Sequence, residues 1–203
     1  MNIFLPSKLP IVILSSPRTG STLLMNLFNQ NFINHNLNVQ VFNEPDYSRE
    51  QKMNKEKMKV FDYHSSVSNN YLLKCHYYRL KLYDQDMITR LLDSGYKIRI
   101  RRRNIVNQIA SLYVAVKRNK KFHYFDKTYN DISPVEIVES EIDRQINFIL
   151  EVNMELDNAP VDFDLDLWYE DLEIPHNFTT QIVTPKPCNY EEICNIIQKR
   201  LSR

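Results

Sequence analysis

With 203 residues and 43% hydrophobic content, the chain is long enough to bury one substantial core and too short for two ordinary domains. Its 26 Lys and Arg offset 25 Asp and Glu to leave a net charge of +1, which excludes a whole-molecule pull on nucleic acid or on an anionic membrane. Any anion must then be held by a local cluster. The three cysteines, Cys75, Cys188 and Cys194, are scattered and lack the paired spacing of a zinc site or a disulfide framework, so they read as reduced thiols.

The N-terminal apolar run, Leu9 to Leu14, is too short to span a bilayer and follows no basic leader. A cytoplasmic protein is expected. Pro10 to Leu14 has the uninterrupted apolar character of a parallel strand covered on both faces. It runs straight into Ser15-Ser-Pro-Arg-Thr-Gly-Ser-Thr22 and then an apolar helical stretch, giving strand, tight loop, helix. A second strand is expected over Val39 to Phe42, ending in Asn43-Glu44-Pro45. Residues 46–70 are polar without a sustained period and read as an excursion, with a helix near Lys52 to Phe61.

A third strand, Tyr71 to Cys75, leads toward a helix capped by Asp84 and ended by Gly95. Tyr96 to Arg102 reads as a fourth strand feeding a helix from Asn104 to Lys117. Ser133-Pro134-Val135-Glu136 has the composition of a capping box, and it predicts a long helix with a stripe through Val135, Val138, Ile142, Ile146, Ile149, Val152 and Leu156. Val161 to Trp168 is a fifth strand, and Asn189 caps a last helix. This alternation predicts one α/β domain over 1–203 with a central, mainly parallel β-sheet flanked by helices.

The chemistry concentrates at two segments. Gly20, one of only two glycines, sits between a buried strand and a helix, where backbone can approach a ligand and the helix start attracts an anion. Arg18 adds charge, and Thr19, Ser21 and Thr22 add hydroxyl donors. No lysine precedes Ser21, as a Walker A motif would require, which disfavours a kinase. In the second segment, Tyr96 to Asn104, alternation puts Arg99, Arg101 and Arg103 on one face. Arg103 falls at the strand's carboxyl end, where open α/β sheets bind ligands, while Arg99 and Arg101 are expected to run along an edge strand with their heads in solvent.

Pro17-Arg18-Thr19-Gly20-Ser21-Thr22 resembles the 5′-phosphosulfate loop of sulfotransferases that use 3′-phosphoadenosine 5′-phosphosulfate (PAPS). Arg103 with Ser111, eight residues on, resembles that family's 3′-phosphate site. The resemblance spans about residues 9–115, with a weaker match at Trp168-Tyr169-Glu170-Asp171-Leu172 that would bring Tyr169 near the nucleotide. It implies a P-loop NTPase-like sulfotransferase fold, PAPS as donor, 3′,5′-bisphosphoadenosine (PAP) as product, no metal, and a hydroxyl-bearing acceptor; neither nucleic acid nor membrane is an expected partner. Lys74-Cys75-His76 resembles the family's Lys-Thr-His with the middle residue changed, so Lys74 would assist the leaving phosphate. Either His76 or Glu44, at the end of the second strand, would be the base. The family's closing Arg-Lys-Gly loop has no counterpart, and Lys186 is the basic candidate near its place. A non-catalytic PAP-binding protein on the same scaffold is the alternative.

Overall fold

The computed structural model describes residues 9–43, 70–80, 89, 92–93, 95–118, 132–173 and 186–203. Five strands form one sheet in the order β2-β3-β1-β4-β5, and every neighbouring pair is parallel. They are β1 (Ile11–Ser15), β2 (Gln40–Asn43), β3 (Tyr71–His76), β4 (Tyr96–Arg101) and β5 (Leu165–Trp168). The helices are α1 (Ser21–Asn34), α2 (Tyr77–Leu80), α3 (Ile105–Lys117), α4 (Glu139–Asp157) and α5 (Tyr190–Leu201).

The period of two in β1 divides the interior. Ile11 and Ile13 face Leu24, Met25, Phe28 and Phe32 of α1, together with Leu72, Ile98 and Ile100. Val12 and Leu14 face the other way, onto Tyr71, Leu73, Cys75, Leu80 and Leu156. A third apolar cluster joins α3, α4 and α5 through Ile109, Tyr113, Ile142, Ile149, Ile193 and Ile197. Burial on both faces is why β1 reads as an unbroken apolar run from Ile11 to Leu14, since neither side meets water.

The order of strand addition reverses between β1 and β4: β2 and β3 lie on one flank of β1, and β4 and β5 on the other. A crevice beyond the carboxyl ends of two such strands is where open α/β sheets take ligands.

Three expectations are corrected. Ser133 to Glu136 does not start a helix; α4 begins at Glu139 behind Val138. The intervening stretch is stapled to its neighbours instead. Tyr113 Oη donates to Glu136 O (2.8 Å) and accepts from Val138 N (2.9 Å), while the Asn189 amide bonds both Val135 N and Val135 O. Backbone groups satisfied this way have no need of a helix. The fifth strand is also shorter than expected, because Val161 N turns back to Ala159 O and the side chains of Val161 and Phe163 pack on the core before pairing begins at Leu165. Finally, β4 is interior and β5 is the edge, so Arg99 and Arg101 do not lie on an edge strand.

In the region of the helix expected after Asp84, positions 89, 92 and 93 are helical; Asp84 itself, and the helix expected near Lys52 to Phe61, lie outside the described residues.

Candidate functional site

The loop from β1 to α1 turns on two left-handed residues, Arg18 (φ 63°) and Gly20 (φ 81°). Gly20 is required twice over: a side chain disfavours that φ, and a Cβ there would run into the ring of Tyr169. Gly20 is also the residue before α1, so the helix start has no side-chain cap. The first helical bond is Leu24 N to Gly20 O, which leaves the N–H groups of Ser21, Thr22 and Leu23 ahead of it. A helix end of this kind, with its partial positive charge, suits an oxyanion.

A buried amide pair fixes the loop. Gln108 of α3, fully buried, donates through Nε2 to Pro17 O (2.8 Å) and Ser16 Oγ (3.0 Å), and its Oε1 accepts from Asn153 Nδ2 of α4 (3.1 Å). Ser16 Oγ in turn donates to Asn153 Oδ1, and Thr19 Oγ1 donates to Ser16 O. Sequence reasoning missed Gln108 and Asn153. The available signal was a glutamine sitting between Ile105 and Ile109 on the apolar side of a helix, where a polar group needs a partner.

From β3, Lys74 and His76 point to the α1 side, in register with Ile13 and Ser15 of β1. Lys74 is 3% exposed and donates through Nζ to Thr22 Oγ1 (3.1 Å), in the first turn of α1. His76 shares a hydrogen bond between Nδ1 and Ser15 Oγ (3.2 Å) and stacks on Tyr78. Both residues therefore sit against the loop, as their spacing of two predicts.

The β4 end divides the second motif. Ser111 Oγ accepts from Arg18 Nε at 2.9 Å, so Ser111 joins the loop. Arg103 turns elsewhere: half exposed, it makes a bidentate pair with Asp171 (2.5 and 2.6 Å) and lies over Trp168, 5.1 Å from the ring centroid. That bond holds the Asp171 carboxyl below its ordinary range and the Arg103 guanidinium above its own. Burial alone would raise the Glu170 carboxyl, but the N–H groups of Arg103 (3.0 Å) and Asn104 (3.1 Å) and the charge of Arg102 outweigh it and pull it down. Asn104 caps α3 by accepting from Asn107 N.

Arg102 is the residue that the reading by alternation passed over. It reaches the loop directly, donating through Nη1 to Arg18 O (3.1 Å), and its guanidinium lies 4.9 Å from the centre of the Tyr169 ring that covers Gly20. Tyr169 thus meets the loop. Exposed Lys186 lies over the ring of Tyr190, 4.7 Å from its centroid, and burial pushes the Tyr190 hydroxyl up to about 12. Glu44 lies outside the described residues.

Arg18, Lys74 and Arg102 all contact the loop or the first turn of α1, along with the hydroxyls of Thr22 and Ser111. Cations and hydroxyl donors around an uncapped helix start are equipped to bind a phosphate or sulfate group. Among the described residues, no cluster of three or more His, Cys, Asp or Glu could hold a metal ion, and no helix is long and apolar enough to cross a membrane. No protein-family model matches the chain, and no curated protein matches it.

Proposed function

We propose that the chain is a PAPS-dependent sulfotransferase with a P-loop-like sulfotransferase fold, moving a sulfuryl group to a hydroxyl-bearing acceptor and releasing PAP. The observation that carries this reading is Lys74, a lysine buried in the sheet and bonded to Thr22 at the uncapped start of α1. Its ammonium stands at the first turn of α1, where an anion seated on that helix end would meet both the charge and the free N–H groups. The lysine comes from a neighbouring strand, whereas a Walker A loop carries its own.

The donor supplies an activated sulfuryl group on its 5′-phosphate. Arg18 and the backbone of Thr19 to Thr22 hold that end, while Ser111 and an arginine at the end of β4 take the 3′-phosphate. The acceptor oxygen attacks sulfur as the bond from sulfur to the phosphate oxygen breaks. Lys74 stabilises the charge developing on that departing oxygen, and Glu44 or His76 receives the hydroxyl proton. Tyr169, over Gly20, shields the loop from water.

A ligand that binds only the folded protein raises its melting temperature. PAP in metal-free buffer is expected to do so, and radioactive sulfur on PAPS is expected to pass to a hydroxyl acceptor from a mixed panel. Stabilisation by ATP with Mg²⁺ and none by PAP would overturn the reading in favour of a kinase. PAP binding without transfer to any acceptor would favour a non-catalytic nucleotide-binding protein.

A further inference from the structure

We propose that Arg102, not Arg103, is the β4 arginine that binds a phosphate of the adenosine bisphosphate, acting with Arg18 and Ser111 at the crevice between β1 and β4. The inference rests on the reading above and assigns one residue within it.

Ile98 and Ile100 point into the cluster built on α1, so the next residue in that series, Arg102, leaves β4 on the side of α1 and its loop. Arg99, Arg101 and Arg103 leave on the opposite side. There Trp168 lies between Arg101 (4.2 Å) and Arg103 (5.1 Å), and Asp166 bonds both Arg99 and Arg101. Arg103 therefore belongs to the arginine row that faces away from the phosphate loop.

Charge separates the two arginines further. Both terminal nitrogens of Arg103 are occupied by Asp171 in a planar fork, the geometry a guanidinium would offer a phosphate. To bind an anion, Arg103 would first have to give up that carboxylate. Among the described residues, Arg102 makes no hydrogen bond to a carboxylate: the nearest, Glu170, stands 3.9 Å from its Nε and spends its oxygens on the N–H groups of Arg103 and Asn104. A backbone carbonyl of the loop and the face of Tyr169 orient the Arg102 guanidinium, and its long pair with Glu170 offsets its charge less than the fork with Asp171 offsets that of Arg103. It is only 18% exposed, so water screens it less than it screens Arg103 at 50%.

The test is isothermal titration of PAP, with adenosine as the uncharged control, into wild type, Arg102→Gln, Arg102→Lys, Arg103→Gln and Asp171→Asn. Arg102→Gln is expected to weaken PAP ~10–100-fold and Arg102→Lys to recover part of that loss, with adenosine unchanged in both. Arg103→Gln and Asp171→Asn are expected to stay within about threefold of wild type for PAP, the scale of an exposed ion pair. Should Arg102→Gln unfold, Arg102→Lys, which keeps the charge, carries the comparison against Arg103→Gln. Loss of PAP in Arg103→Gln with retention in the Arg102 variants overturns the inference and leaves the sulfotransferase reading standing. Equal losses for PAP and adenosine overturn it too, since Arg102 would then serve the fold. A wild type that binds no PAP overturns the inference and the reading together.

Discussion

Two sides of one strand end carry the same residue type to different uses. On one side, Arg99, Arg101 and Arg103 meet Asp157, Asp166 and Asp171, with Phe163 and Trp168 packed among them. Cations and carboxylates cancel there, and exposed or partly exposed pairs of this sort add little to stability. On the other side, Arg102, Arg18 and Lys74 converge on a loop whose own partners are hydroxyls, amides and carbonyls. The arginines do not by themselves distinguish a structural lattice from an anion site. The carboxylate fork that holds Arg103 does, and so does the uncapped helix start beside Arg102 and Lys74.

Large losses on the crevice side and small ones on the lattice side are what this contrast requires. The largest is expected for Gly20→Ala, where a side chain in the left-handed region costs ~1–2 kcal/mol and overpacking against Tyr169 a further ~1–3 kcal/mol. Chemical denaturation should register the sum, and adding Tyr169→Leu should recover the packing part alone. If Gly20→Ala is as stable as wild type, Tyr169 does not cover the loop in solution. Next comes Lys74→Met. Loss of one oxyanion-stabilising donor predicts a ~10²–10³ fall in kcat for sulfuryl transfer. A variant that lost stability and kept its turnover would make Lys74 a structural residue.

Gln108→Leu should cost ~1–3 kcal/mol by leaving Pro17 O and Asn153 without their amide partner, and PAP affinity should fall with it as the loop loosens. Unchanged affinity at reduced stability would separate the amide pair from the site. The smallest effect belongs to the lattice. The Asp171 carboxyl titrates below its ordinary value of 3.8 in the folded protein, so its contribution is fully present above that pH and is lost as pH falls through the lower folded value. Melting curves of wild type and Asp171→Asn should therefore differ slightly near neutrality and converge in acid. A gap that widened toward low pH would contradict the pairing.

The parts of the fold legible in the sequence were those that depend on local period. β1 announces itself as a short apolar run, and Asn104 and Lys117 bracket α3 because a capping amide and a terminal cation mark a helix at its own ends. Where distant residues decide, local signals misled. The Ser133 to Glu136 segment has the letters of a capping box, yet Tyr113 and Asn189 hold it extended from across the third cluster. The same limit applies at the site. Gly20, Thr22 and Lys74 could be chosen from sequence because the loop and strand positions are local. The choice between Arg102 and Arg103 depended on which face of β4 looks toward α1, and on a carboxylate 68 residues beyond Arg103. Alternation correctly grouped Arg99, Arg101 and Arg103, but it says nothing about which group faces the ligand.

The position of Trp168 has a practical consequence. It is the only tryptophan in the chain, and it is wedged between the guanidinium groups of Arg101 and Arg103, next in sequence to the tyrosine that covers Gly20. Selective excitation of indole fluorescence therefore interrogates a single location, the seam between lattice and crevice. Nearby cations perturb an indole's emission, so movement of either arginine would register as a change in colour or intensity. The molecule carries its own optical probe, placed where a ligand's arrival would be felt, and no label is needed to read it.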